Sequence, residues 1–339
     1  MQFQKEISSI VLIADRVEDP AREMNIYDRD LDKPHPHYVE HLFQTLQEIH
    51  PNVILYNSPQ ELIVNNMKHR DDLVFPFWFG EKSRNRHALI PAICEASNIK
   101  YVGADAYTKA VCNDKHVSKL LCKELNLATP NFAIWNSPLD DHLAGYLQFP
   151  CVVKPAFEGT SLGIGPNNLV SNLSDAILIA RALKEEFQQT ILIEEFIPGK
   201  EVSICLIGQG RDVHNWAAAE RYLEDDVNYF EHRLYTYIEK KSDTLPLALR
   251  SVTAQIPDDT LQRCFDLFAY LDKVEFMRID GRLKGTDFSV IELTPDTHLG
   301  ADSEFAGTFI AEGGFNYHSV IRLLIENCIK GYQSRNANK

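Results

Sequence analysis

The chain has 339 residues, 45% hydrophobic and 24% charged, enough for two or three packed units with real cores. Its formal charge of −14 argues against a polyanion as main partner, because nucleic-acid binding draws on clustered Lys and Arg. Seven cysteines without a CxxC pair point to reduced core thiols, and no run approaches the ~20 apolar residues of a membrane span. No signal-peptide pattern opens the chain, so a cytoplasmic protein without nucleic-acid or membrane partners is expected.

Short apolar runs alternate with amphipathic stretches, which predicts an α/β (α+β) fold. Residues 9–13 read as a buried first strand. Residues 38–49 read as a helix with Val39, Leu42, Phe43 and Leu46 on one face. Strands at 53–56 and 73–75 and a helix over 86–96 complete an N-terminal unit, 1–112. Pro34, His35, Pro36 and His37 read as a proline-stiffened surface loop rather than a metal pair. Asn113 is expected to cap a helix over 114–125. Strands at 132–135, 151–154 and 190–194, with a helix at 174–187, make a central unit, 113–205. The last unit, 206–332, adjoins a strand at 201–207 and has strands at 275–283 and 288–293. Its helices fall at 258–271, behind Pro257, and 317–328. Residues 281–285 read as the hairpin turn between the last two strands. Residues 224–251 show little regular pattern, as functional loops often do. A polar, frayed tail covers 333–339.

Three stretches carry chemistry. Lys154 ends an apolar strand, where an ammonium needs a partner, and Glu158, Gly159, Thr160, Ser161 and Gly163 follow at once. Small residues let backbone N–H groups close around phosphate oxygens, with Lys154 as a point charge. Alone, the loop could also be a tight turn with a lysine reaching to solvent. Farther on, Glu194, Glu195, Phe196 and Ile197 form a strand end that could offer backbone groups to a purine edge, and Glu201 could accept from ribose hydroxyls. By themselves they also read as strand, turn and strand. Finally, period-2 alternation puts Arg278 and Asp280 on one strand face, and an antiparallel neighbour would bring Glu292 beside them. Paired carboxylates are hard ligands for Mg²⁺, which fills its other positions with water and phosphate. A surface ion pair on an edge hairpin is the alternative.

In this order, from about residue 73 to 328, the three stretches resemble the ATP-grasp superfamily, and within it the D-alanine–D-alanine ligases. The resemblance implies an N-terminal α/β domain followed by central and C-terminal ATP-grasp subdomains. It implies that Lys115 and Lys154 contact ATP phosphates under a loop of Glu158, Gly159, Thr160 and Ser161. Glu194, Glu195, Phe196, Ile197 and Glu201 would hold the nucleoside. Tyr235, Tyr237 and Lys240 are similar to the family's closing loop, whose lysine reaches the γ-phosphate. Arg278, Lys240, Thr160 and Ser303 would serve catalysis, Ser303 lying near the acceptor's carboxylate. Asp280 and Glu292 would hold one or two Mg²⁺ ions (or Mn²⁺). Thr294 stands where the family has asparagine, so Asp296 is expected to share the shell with it.

The substrate-binding segments depart from the family. Its GG[TKR]S pattern is absent from residues 13–18, its HGxxGEDG pattern is reduced over 77–83, Lys241 replaces a tyrosine, and Asp296, Thr297 and His298 replace an SPG run. The resemblance thus implies an ADP-forming ligase joining a small-molecule carboxylate to an amine through an acyl phosphate. Substrate identity and a homodimer are left open. The competing expectation is a catalytically lapsed nucleotide-binding or regulatory subunit.

Overall fold

The computed structural model describes residues 6–80, 83–240, 245–295 and 297–337. The first unit runs β1 (Ile10–Ala14), α1 (Pro36–Ile49), β2 (Val53–Tyr56), α2 (Pro59–Asn65), β3 (Leu73–Phe77), α3 (Leu89–Ser97) and β4 (Lys100–Tyr101). Its parallel sheet has the order β2-β1-β3-β4. The all-apolar β1 is buried on both faces: Ile10 and Leu12 join one core, Val11 and Ile13 another. Pro36 is the first residue of α1 and His35 its N-cap, so the segment expected as a stiff loop begins a helix. Proline suits that position because its missing N–H would be unpaired there anyway.

Helices α4 (Ala106–Asn113) and α5 (Lys115–Glu124) lead to the central unit. The cap expected of Asn113 belongs to Asp114, whose carboxylate accepts from the His116 and Val117 amides. Asn113 instead closes α4 and reaches the Arg84 carbonyl. Strands β5 (Phe132–Trp135), β6 (Cys151–Pro155), β7 (Leu169–Val170) and β8 (Ile191–Glu195), with α6 (Leu173–Phe187) between the last two, form an antiparallel sheet of order β5-β8-β6-β7. Ala176, Ala180 and Leu183 of α6 pack against one face.

The last unit comprises β9 (Lys200–Gln209), β10 (Asp212–Leu223), α7 (Tyr237–Lys240), β11 (Leu247–Ser251), α8 (Asp258–Leu271), β12 (Phe276–Lys284), β13 (Asp287–Thr294), α9 (Glu304–Glu312) and α10 (Tyr317–Ala337). Its antiparallel sheet has the order β11-β10-β9-β12-β13. One face packs on α8 and takes in Cys112 and Cys122 of α4 and α5. The other shares a core with α9, α10 and the N-terminal sheet. Each aliphatic side chain buried in such a core contributes roughly 1.5–3 kcal/mol.

Three expectations change here. The break at 205/206 falls inside β9; the sheets part between Glu195 and Lys200. The stretch 224–251 is not irregular throughout, since β11 pairs with β10 and α7 precedes it. Strand β10 escaped notice because Ala217, Ala218 and Ala219 lack β propensity; they are fully buried where the sheet is covered on both faces. Lastly, the hairpin turn falls at Gly285, whereas Gly281 lies inside β12 at a bulge. A Cβ on Gly281 would come within 2.5 Å of the Phe288 ring and the Ser289 carbonyl.

Candidate active site

A cavity of about 860 Å³ opens where the central sheet, the C-terminal sheet and residues 20–38 meet. Every predicted site residue lines it except Asp296, which lies outside the described residues. A shallower groove beside Lys123 and Arg263 holds none of them.

Lysines form one wall. Lys154 on β6 is buried and pairs with Glu194 of the neighbouring β8. Lys119 reaches the same carboxylate at 2.8 Å. Burial works against the Glu194 charge, yet Lys119 and Lys154 together hold its carboxyl below the ordinary range. Burial likewise lowers Lys154, with Glu194 opposing. Glu194 therefore anchors two lysines, and the cavity wall beyond it falls to the residues that follow. The Phe196 N–H donates to the Pro150 carbonyl at 2.9 Å, so the hinge offers a ligand the Ile197 peptide. Glu195 accepts from Asn131 and the Gln148 amide. Glu201 pairs with Arg282 at 2.6 Å, and burial raises its pKa. The Arg282 guanidinium lies 5.1 Å from the Phe196 ring.

The loop after β6 is held in an unusual conformation. Thr160 and Ser161 both have positive φ, 50° and 59°, which side-chain-bearing residues rarely adopt. Thr160 Oγ1 donates to Asp32 at 2.8 Å, and Ser161 Oγ donates to the Tyr235 carbonyl at 3.1 Å. Consecutive left-handed residues turn their amides toward one side, as in anion-binding nests. Glu158 turns away to Arg29, Arg86 and Gln189, at 3.1, 3.1 and 2.6 Å. It braces the loop and is not itself placed as a phosphate contact. Lys115, opening α5, donates to the Glu158 carbonyl and pairs with Glu292 at 2.9 Å.

Strands β12 and β13 supply the acidic wall. Asp280 and Glu292 are register partners, as the alternation implied, and Arg278 faces Thr294. Asp280 accepts from Arg278 Nε at 2.6 Å, Ser203 Oγ at 2.7 Å and Thr294 Oγ1 at 3.1 Å. Burial opposes the Glu292 charge, but Lys115, Lys154 and Lys240 hold its pKa low. The pair fits a hard divalent ion that takes its remaining ligands from phosphate and water. Among the described residues, no group of three or more His, Cys, Asp or Glu could hold a metal without such help.

At the far end, Arg278 NH1 donates to Thr297 at 3.0 Å and lies 3.5 Å from Glu304. Glu304, the first residue of α9, also pairs with Arg221 at 3.2 Å. Burial opposes its charge, yet Arg221, Arg278 and Lys240 bring its pKa down to about 2. The Ser303 hydroxyl is buried and has no hydrogen-bond partner among the described residues. Lys240 is exposed and lines the cavity, its Nζ 5.0 Å from the Tyr235 ring centroid.

Sequence reasoning missed Lys119, Asp32, Arg86, Arg221 and Glu304. Only Lys119 left a signal, standing four residues after Lys115 on one helix face. The others join the site through tertiary contacts that no spacing reports.

Residues 123–326, more than half of the chain, match the family model described as D-ala D-ala ligase C-terminus. The chain is 34% identical over 155 residues to the vancomycin/teicoplanin A-type resistance protein VanA of Enterococcus faecium, 46% of this chain and 42% of that protein. It is 24% identical over 277 residues to the D-alanine–D-alanine ligase A of Mesorhizobium japonicum, covering 78% and 73%. The chain spans only 39% and 42% of the length of two curated relatives that it matches. A D-alanine–D-alanine ligase from Bacillus anthracis, solved in complex with ATP, superposes with a TM-score of 0.68 at 16% identity, over 96% of this chain and 98% of that one. That likeness speaks for fold alone: the ATP-grasp architecture expected from the motifs is the architecture of this chain. Among the described residues no helix is long and apolar enough to cross a membrane.

Proposed function

Because this chain belongs to the D-alanine–D-alanine ligase family, we propose that it is an ATP-dependent ligase joining a carboxylate to an amine, with release of ADP and phosphate. The observation that carries this reading is the convergence on one cavity of two buried lysines, a strained small-residue loop, a register-paired Asp280–Glu292 and the Arg278 guanidinium.

Lys115, Lys154 and Lys240 neutralise phosphate charge, and the Thr160–Ser161 turn directs amides at the same oxygens. Such transfer depends chiefly on position and electrostatics. Asp280 and Glu292 would hold a divalent ion, one or two Mg²⁺, with Thr294 beside them; Asp296, outside the described residues, is the sequence's other candidate ligand, and the ion would supply charge that neutralises phosphate. The substrate carboxylate attacks the terminal phosphorus, ADP leaves, and an acyl phosphate remains. The amine then attacks its carbonyl, Arg278 stabilises the oxyanion, and phosphate departs. Residues 229–240, held to the loop through Ser161 and Tyr235, keep out water that would hydrolyse the acyl phosphate.

The test is ADP release across pairs of carboxylic acids and amines with Mg²⁺. Release that requires both members, with an amide product detected by mass, supports the ligase. Nucleotide binding with no release under any pair overturns it in favour of a nucleotide-binding subunit.

A further inference from the structure

A buried guanidinium must find acceptors, and those that Arg282 finds belong to two different parts of the molecule. Arg282 follows Arg278 and Asp280 at alternate positions of β12, and all three line the cavity. Its register partner on β9 is Glu201, whose carboxylate takes NH2 at 2.6 Å. NH1 donates to the Gly199 carbonyl at 2.9 Å, and the guanidinium lies 5.1 Å from the Phe196 ring. These contacts belong to the stretch that joins the central and C-terminal sheets, where Phe196 and Glu201 face the cavity.

The other bonds go to the stem of the segment 229–240. NH1 also donates to the Phe230 carbonyl, and NH2 to the Arg233 carbonyl at 2.7 Å. The Gly199 amide adds a bond to the Glu231 carbonyl at 3.2 Å. From this stem the buried Phe230 ring packs on Tyr235, 5.2 Å between centroids, and the Tyr235 carbonyl accepts from Ser161. A path of direct contacts thus runs from Glu201 through Arg282 to the Thr160–Ser161 loop. Only a planar fork of donors reaches one carboxylate and three carbonyls at once; an ammonium is a single point of charge. Gly199 permits the close approach, with φ 138° and room for no Cβ, which would come within 2.7 Å of the Leu283 carbonyl. Burial favours the neutral form of Glu201, and Arg282 opposes it.

We propose that Arg282 is a positioning residue that couples the sugar of a bound nucleotide to closure of the segment 229–240. It presents Glu201 to the ribose hydroxyls while its two terminal nitrogens hold the stem of the closing segment. The inference rests on the nucleotide-binding part of the proposed function and not on the bond that the enzyme forms. A ribose that draws on Glu201 fixes the carboxylate, the guanidinium paired with it and, through the Phe230 and Arg233 carbonyls, the stem. A sugar without the 2′-hydroxyl leaves that chain less ordered.

The experiment combines calorimetry and hydrogen exchange on the full chain with Mg²⁺. The probes are a non-hydrolysable ATP analogue and its 2′-deoxy counterpart. The wild type binds the ribose analogue about tenfold more tightly, the worth of one hydrogen bond to a charged group. That analogue also slows exchange over residues 229–236 more than the deoxy one does. Arg282→Met abolishes both the affinity gap and the slowing. Arg282→Lys keeps a cation for Glu201 but not the fork, so it retains part of the gap and loses the slowing. Should Arg282→Met fail to fold, Arg282→Lys decides alone. An arginine that merely stabilises the fold would, when replaced, speed exchange throughout β9 and β12 and leave the nucleotide-induced slowing in place; that result overturns the proposal. A wild type that binds both analogues equally overturns it as well. A wild type that binds neither analogue sinks the nucleotide reading itself.

Discussion

Asp32 and Thr160 lie 128 residues apart in sequence, yet the Thr160 hydroxyl donates to the Asp32 carboxylate at 2.8 Å. Through this bond the N-terminal segment holds the Thr160–Ser161 loop in its conformation. Asp32 is buried and also takes Arg86 at 2.9 Å and His87 at 3.6 Å; burial opposes its charge, but His87 and Arg86 hold its pKa well below the carboxylate range.

Asp32→Ala should therefore act twice. It strips a buried partner from Arg86, which retains Glu158, so stability should fall by roughly 2–3 kcal/mol, less than the 3–5 of a fully broken buried pair. It also frees Thr160 from its left-handed backbone, so ATP should bind more weakly. Thr160→Gly separates the effects, since glycine accepts that φ without strain while losing the hydroxyl. Urea unfolding and nucleotide titration check both; undiminished ATP affinity in a folded Asp32→Ala protein would show that the latch does not shape the loop.

Lys154→Met should lower ATP affinity about ten- to a hundredfold, the worth of a charge-assisted contact. The fold should survive, because Lys119 remains on Glu194 at 2.8 Å. Lys119→Met should instead spare more of the affinity. Calorimetry giving equal losses for the two lysines would mean that neither is singled out by the phosphates.

Glu292→Gln should abolish turnover, since it removes one of two paired carboxylates from the proposed metal site. Lys115 loses its 2.9 Å partner but keeps the Glu158 carbonyl, so the protein should remain folded. Full ADP release by the folded variant at any Mg²⁺ concentration would remove Glu292 from the site.

Glu304 makes stability depend on pH. Its pKa falls from an ordinary 4.5 to about 2 on folding. The ionised form is thus favoured in the folded state; its contribution is complete above 4.5 and disappears as pH drops toward 2. Glu304→Gln should cost on the order of 3 kcal/mol near neutrality. The difference from the wild type should shrink steadily between pH 4.5 and 2. Denaturant unfolding at several pH values reads it, and a difference independent of pH would mean that Glu304 is not an ionised hub for Arg221 and Arg278.

The sequence by itself determined the strands and helices with clear apolar periodicity, and the side chains that such periodicity controls. Alternation alone placed Arg278, Asp280 and Glu292 together, because successive strand residues point to opposite faces and a hairpin pairs its own neighbours. Lys154 betrayed itself as an ammonium at the end of an apolar strand. The tertiary structure decided what those side chains do next. Glu158 and Glu194 turned out to brace the site, because the arginines and lysines that claim them arrive from α5 and from the segments around Arg29 and Arg86. Arg221 and Glu304 meet only because β10 packs under α9, and β10 itself was hidden by three alanines whose burial comes from both neighbouring layers. Local pattern reports which face a residue takes; it carries no information about which distant element will cover that face, and the charges of this site are balanced by such elements.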